Sequence, residues 1–176
     1  LLLLLVTTAL ADCPATAAAL GIDDPRLNGD RVIVVQKANR QVLLLSNGAL
    51  RTDRAGGQPS CWPVGLGGAP DGPKLRQGDQ KTPEGWYRTT DKPWSAFYGA
   101  VAVHYPNASD AAKGAEAGTL SEAQRAAVID ALRSGDKPPQ NTAIGGEILI
   151  HGGGSESDWT LGCIAMGNSD LDELRA

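Results

Sequence analysis

The chain of 176 residues holds two histidines, His104 and His151, and three cysteines, Cys13, Cys61 and Cys163. His151 follows the apolar run Ile148-Leu149-Ile150 and precedes Gly152-Gly153-Gly154, while Cys163 comes later in the chain between Gly162 and Ile164. A free thiol, with a pKa of roughly 8.5, is mostly protonated at neutral pH, so a nucleophilic Cys needs a base or an imidazolium beside it. A His and a Cys at the ends of neighbouring strands meet that need, with Cys163 as nucleophile and His151 as base. Gly152 and Gly153 let backbone approach a ligand closely. Gly162, lacking a side chain, lets the amides around Cys163 face a carbonyl as oxyanion donors. The plain alternative, a Cys buried as a small hydrophobe and a His satisfied as a polar residue, has about equal weight from spacing alone. A zinc site would need His104, Asp158 or Glu156 to complete it, without any zinc-binding spacing, so neither metal nor cofactor is expected.

The elements that must carry these residues read as mainly β. Arg31–Lys37 and Gln41–Ser46 are aliphatic runs split by Ala38-Asn39-Arg40, and Asn47-Gly48 turns the chain into Ala49–Thr52, an antiparallel meander. Arg54–Pro83 is dense in Gly and Pro and reads as loop with a short strand at Trp62–Leu66. Gly85–Thr90 and Ala100–Tyr105 are further strands, and Glu147–Ile150 delivers His151 at its end. One helix is marked by Thr119-Leu120-Ser121-Glu122, which has capping-box spacing with Thr119 as cap, and it ends at Gly135. Asn168 is expected to N-cap a last helix starting at Ser169.

Sixteen Lys plus Arg against twenty Asp plus Glu give a net charge of -4, and no basic run occurs, so nucleic acid is not an expected partner. Leu1–Ala11, apolar and ending Ala9-Leu10-Ala11, reads as the remainder of a signal peptide, followed by a linker over 12–29 and one domain over 30–176 whose C-terminus is cut short. This makes the protein an exported, periplasmic or otherwise extracytoplasmic one. Three cysteines in such a protein leave one over after a single disulfide. Cys13 and Cys61, both in Pro-flanked loop contexts, are the expected pair, which leaves Cys163 as the free thiol.

Ile150-His151-Gly152-Gly153 together with Thr160-Leu161-Gly162-Cys163-Ile164-Ala165-Met166-Gly167-Asn168 resembles the signature of the L,D-transpeptidase catalytic-domain family. Gly78-Asp79-Gln80-Lys81-Thr82-Pro83-Glu84-Gly85-Trp86-Tyr87 is similar to a second stretch of that family, and Tyr105-Pro106-Asn107 to a segment of its murein branch. The resemblance implies a β-sandwich catalytic domain acting on peptidoglycan stem peptides. Cys163 would attack the carbonyl of the third stem residue, release the terminal D-Ala and pass the acyl group to an amine. Hydrolysis through the same acyl-enzyme is the alternative, including release of peptidoglycan-attached lipoprotein. A rival of another class is an inactive peptidoglycan-binding envelope domain. Two positions depart from the family pattern, Leu161 where it has His and Ala165 where it has Arg. Trp159 and Thr160 are candidate substrate contacts with Asp158 beside them, holding His151 or Thr160. Lys81, with Arg88 and Glu84, is placed to meet substrate carboxylates, and His104 is expected on the polar face of a sheet.

Overall fold

The computed structural model describes residues 13–176, so the expected signal segment lies outside the described residues. The chain forms two compact units, one ending at Pro63 and one running Val64–Ala176. Together they contain two four-stranded, mostly antiparallel sheets and three α-helices among the described residues, a mainly β architecture. No helix among these residues is long and apolar enough to cross a membrane.

In the first unit the strands are β1 (Val32–Gln36), β2 (Gln41–Ser46), β3 (Ala49–Leu50) and β4 (Cys61–Pro63). The Val42-Leu43-Leu44-Leu45 run makes β2 buried on both faces, so it takes the centre, with β1 on one edge and β3 and β4 on the other, all antiparallel. Asn47 and Gly48 turn β2 into β3 with φ of 50° and 77°, the positive pair that a tight hairpin requires. Cys13 is disulfide-bonded to Cys61 on β4, with Cα atoms 6.2 Å apart.

The second unit carries β5 (Thr89–Ser95), β6 (Tyr98–Val103), β7 (Leu149–His151) and β8 (Ile164–Ala165), hydrogen-bonded in that order. The β7–β8 pairing is parallel and the others antiparallel. β5 lies further along the chain than the expected Gly85–Thr90. Its Pro93 is tolerated because β5 is an edge strand and the register shifts between Lys92 and Ser95. Two helices, α1 (Ala108–Glu116) and α2 (Glu122–Ser134), bury Ala111, Leu120, Val128 and Ile144 between them. α2 is capped by Ser121 with Gln124, not by Thr119, whose amide together with that of Leu120 bonds the Gly114 carbonyl and closes α1. α3 (Asn168–Arg175) packs on β6, where a Cβ at Gly99 would stand 3.8 Å from Leu171 Cδ2.

Candidate active site

Strand register places the two chemical side chains on one face of the sheet. His151 pairs with Ala100 on β6 and Ala165 on β8, and Leu149 pairs with Ala102. Side chains two apart along a strand share a face. Cys163, two residues before Ala165, therefore points to the same side of the sheet as His151, and it packs against Ala100, Ala102 and Leu149. In this parallel pairing Cys163 stands beside Leu149, one strand over from His151 and two residues before it on the same face.

His151 is fully buried at the end of β7. Its Nδ1 lies 2.6 Å from the Gly152 carbonyl, which can only accept, so Nδ1 carries the proton and Nε2 holds the lone pair. Phe97, in the turn of the β5–β6 hairpin, stacks on the imidazole at 4.6 Å between centroids, and Trp159 meets it edge-on at 5.6 Å. Burial lowers the pKa of His151 below its ordinary value, with the Gly152 hydrogen bond opposing in part. The glycine loop after it is held by Asn168, whose Oδ1 accepts from the Gly153 amide at 3.0 Å. Asn168 is thus the first residue of α3 and not its cap, which is Gly167. A Cβ at Gly152 would fall 2.4 Å from that same Oδ1.

Cys163 is a free, partly buried thiol that donates to the Glu147 carbonyl at 3.6 Å. Burial raises its pKa, while the Leu149 amide and the charge of Lys74 pull the other way. Thr160 ties the turn before it, with Oγ1 donating to the Cys163 carbonyl at 2.8 Å and accepting from the Gly162 amide at 3.1 Å. Gly162 has φ 133°, and a Cβ there would sit 2.7 Å from the Lys81 carbonyl, so two backbones pass with no space for a side chain.

The segment pressed against Gly162 is itself fixed from within. Asp79 Oδ1 accepts from Lys74 Nζ at 2.7 Å and from the Lys81 amide, and its Oδ2 accepts from the amides of Leu75 and Arg76. Both members of the Lys74–Asp79 ion pair are nearly inaccessible to water. Burial alone would raise the Asp79 pKa, but these donors outweigh it and hold it at about 2. Thr82 Oγ1 then accepts from the Gly67 amide at 3.0 Å and reaches the Cys163 carbonyl at 3.5 Å.

A family model described as L,D-transpeptidase catalytic domain (YkuD) matches residues 30–176. The chain belongs to the L,D-transpeptidase catalytic-domain family. It is 34% identical over 106 residues to the Escherichia coli (strain K12) protein named "Putative L,D-transpeptidase YafK", and equally to that of Escherichia coli O157:H7, a match covering 58% of this chain and 30% of each relative. The chain therefore matches about a third of the length of these curated relatives. The solved structure of Bdellovibrio bacteriovorus Bd1075 aligns over 88% of this chain and 45% of its own, with a TM-score of 0.41 and 20% identity.

Within this L,D-transpeptidase-family chain, His151, Cys163, Gly162, Thr160, Trp159, Gly152 and Gly153 occupy one neighbourhood. Lys81 contributes its backbone to it, whereas its Nζ donates to the Asp71 carbonyl. Asp158 accepts from the Leu66 amide at 2.9 Å, which places it on the strip beside the site. His104 is buried rather than on a wet face, with Nε2 3.2 Å from Thr90 Oγ1. Leu161 is 75% exposed and Ala165 is fully buried. Among the described residues no group of three or more His, Cys, Asp and Glu could hold a metal ion. Phe97, Asp79, Lys74 and the anchoring role of Asn168 are not singled out by sequence reasoning. Of these, Asp79 and Asn168 lie in the stretches similar to the family, which gave no sign of what their side chains hold.

Proposed function

We propose that this protein is a cysteine acyltransferase of peptidoglycan stem peptides, with Cys163 as nucleophile and His151 as base. The observation that carries the reading is the shared sheet face of the two residues, with the imidazole tautomer set by Gly152. As Sγ attacks the carbonyl, the thiol proton passes to His151 Nε2, and the Cys163 amide faces the developing oxyanion, since the Gly162 amide is engaged by Thr160. Collapse breaks the C–N bond, and the proton on Nε2 goes to the leaving D-Ala nitrogen. The thioester is then attacked by an amine, whose proton returns through His151 to the sulfur as it leaves.

Hydrolysis of the thioester is the second reading, favoured by Leu161 and Ala165. The first puts an exposed apolar side chain where the family has a proton donor, and the second is a buried methyl where the family has a cation. Neither can orient an acceptor by charge. Work outside the cytoplasmic membrane, and action on peptidoglycan-attached lipoprotein, fit the same chemistry.

The test is mass spectrometry of defined muropeptides after incubation with and without an amine acceptor. Thioester capture on Cys163 with release of D-Ala is expected. Cys163→Ala should abolish turnover, and His151→Gln should lower kcat/KM by about 10²-fold or more. Efficient crosslinked dimers with little trimmed monomer would eliminate the hydrolytic reading. Full turnover by Cys163→Ala would eliminate both.

A further inference from the structure

We propose that Lys92 and Lys137, converging on Glu147 beside the nucleophile, form a carboxylate-binding site that takes the terminal carboxylate of the residue released by Cys163. This rests on the reaction proposed above and names the group of the donor peptide that the site reads.

Lys92 rises from the nucleophile's face of the sheet. On β5 it pairs with Ala100 of β6, which pairs with His151, and the next row is Thr90, Ala102 and Leu149, with Cys163 packed beside them. Directly paired residues project to the same side. Lys92 Nζ meets Glu147 Oε2 at 3.3 Å, and Lys137, in the segment after α2, meets Oε1 at 3.3 Å. Glu147 joins this pair of cations to the thiol. It takes φ 51°, a left-handed conformation that side chains adopt at a cost, and its amide donates to Gln140 Oε1 at 2.9 Å. In that conformation its carbonyl accepts from Cys163 Sγ at 3.6 Å while its carboxylate lies between the two ammonium groups. Burial, the Leu149 amide and the charge of Lys74 act most on the pKa of the thiol, and the charges of Glu147 and Lys92 act on it as well.

The ligand follows from charge and reach. One carboxylate already sits between the lysines, which shows that they converge on such a group. Two lysines against one glutamate leave an excess positive charge, in a chain whose net charge is -4. Each ammonium has three donors and gives one to Glu147. Lys92 is 38% exposed and Lys137 29%, so a second carboxylate can reach them from solvent. An amine or a metal ion would meet the excess positive charge instead. When Sγ attacks the third stem carbonyl, the terminal carboxylate lies one residue further, about 3.5 Å of extended chain. Glu147 spans a similar gap with its own side chain, from a carbonyl that touches Sγ to a carboxylate between the lysines.

The experiment compares the wild type with Lys92→Met, Lys137→Met and Lys92→Arg on a donor tetrapeptide with a free C-terminus and on the same peptide as its C-terminal amide. Separately, N-acetyl-D-alanine and its amide, at matched ionic strength, are tested for slowing the alkylation of Cys163 by iodoacetamide. In the wild type kcat/KM should be about 5-fold higher for the free acid, mostly through KM, the effect of one half-exposed ion pair. That ratio should shrink as NaCl rises from about 0.05 M to about 0.5 M. Lys92→Met and Lys137→Met should each bring it toward 1, and Lys92→Arg should keep most of it. N-acetyl-D-alanine should protect the wild-type thiol better than its amide does, and Lys92→Met should erase the difference. Because each ratio is taken within one protein, a loss of folded fraction cancels. No preference for the free acid in the wild type, or a preference that survives both Met variants, would overturn the site. Failure of the wild type on both peptides would instead strike the reading of the reaction. The protection assay would then decide the lysines, with equal protection by acid and amide, or none by either, overturning the site.

Discussion

Burial pushes Cys163 up and His151 down, and both shifts favour the neutral thiol and the neutral imidazole at rest. The protein is thus poised for general-base activation during attack rather than for a standing thiolate–imidazolium pair. The sign is open to measurement. Alkylation of Cys163 by iodoacetamide, without substrate, should climb with pH and show no plateau below the ordinary thiol range of about 8.5. A thiolate–imidazolium pair would instead give a plateau reaching into acid. Turnover should hold its rate down to a pH below the ordinary imidazole value of about 6.5, since a lowered pKa keeps His151 unprotonated there.

At the scale of elements, the loop from Lys74 to Thr82 matters as much as the strands. Its carboxylate titrates at about 2 against an ordinary 3.8, so Asp79 stabilises the folded state by about 2 kcal/mol above pH 5, a contribution lost as pH falls from 4 through 2. Asp79→Ala would leave Lys74 buried without its carboxylate and should cost about 3–5 kcal/mol, read as a drop in Tm. With Gly162 no longer held against the Lys81 carbonyl, activity should fall in the surviving folded fraction. β2 was legible as an aliphatic run, and the ends of β7 and α2 as a strand leading to His151 and a glycine stop. α1 was not, because the face it buries is made of small residues, Ala111 and Gly114, which stand out little from the Ala- and Gly-rich chain around them, although Asn107 and Asp110 make a capping box. β5 hid behind Asp91-Lys92-Pro93, which reads as a turn until a neighbouring strand supplies the pairing. Cys163 and His151 stood out by residue type and by the resemblance of the segments around them, since spacing alone weighed no more for catalysis than for two structural residues. Their supports did not, since the partners of Asp79, Asn168 and Phe97 are chosen by tertiary packing.

Over the whole molecule, the first unit is the shorter of the two, ending at Pro63, and its disulfide closes a span of 48 residues. In the chain-entropy description that closure is worth about 4 kcal/mol at most. Reduction, or Cys13→Ser with Cys61→Ser, should therefore lower the Tm of the unit that ends at Pro63, followed by hydrogen exchange on β1 and β2. Non-reducing intact mass should show two hydrogens fewer than the fully reduced chain. Wherever such a disulfide persists, oxidants are at hand, and the covered state of Cys163 acquires a second meaning. Peroxide attacks thiolates, and a sulfur that is ionised only while a substrate is in place offers it little to attack. Sulfenic acid formation on Cys163 at pH 7 should be slower than on free cysteine, as counted by a dimedone-type trap. The same shielding that leaves the nucleophile idle between turnovers would let it outlast an oxidative burst.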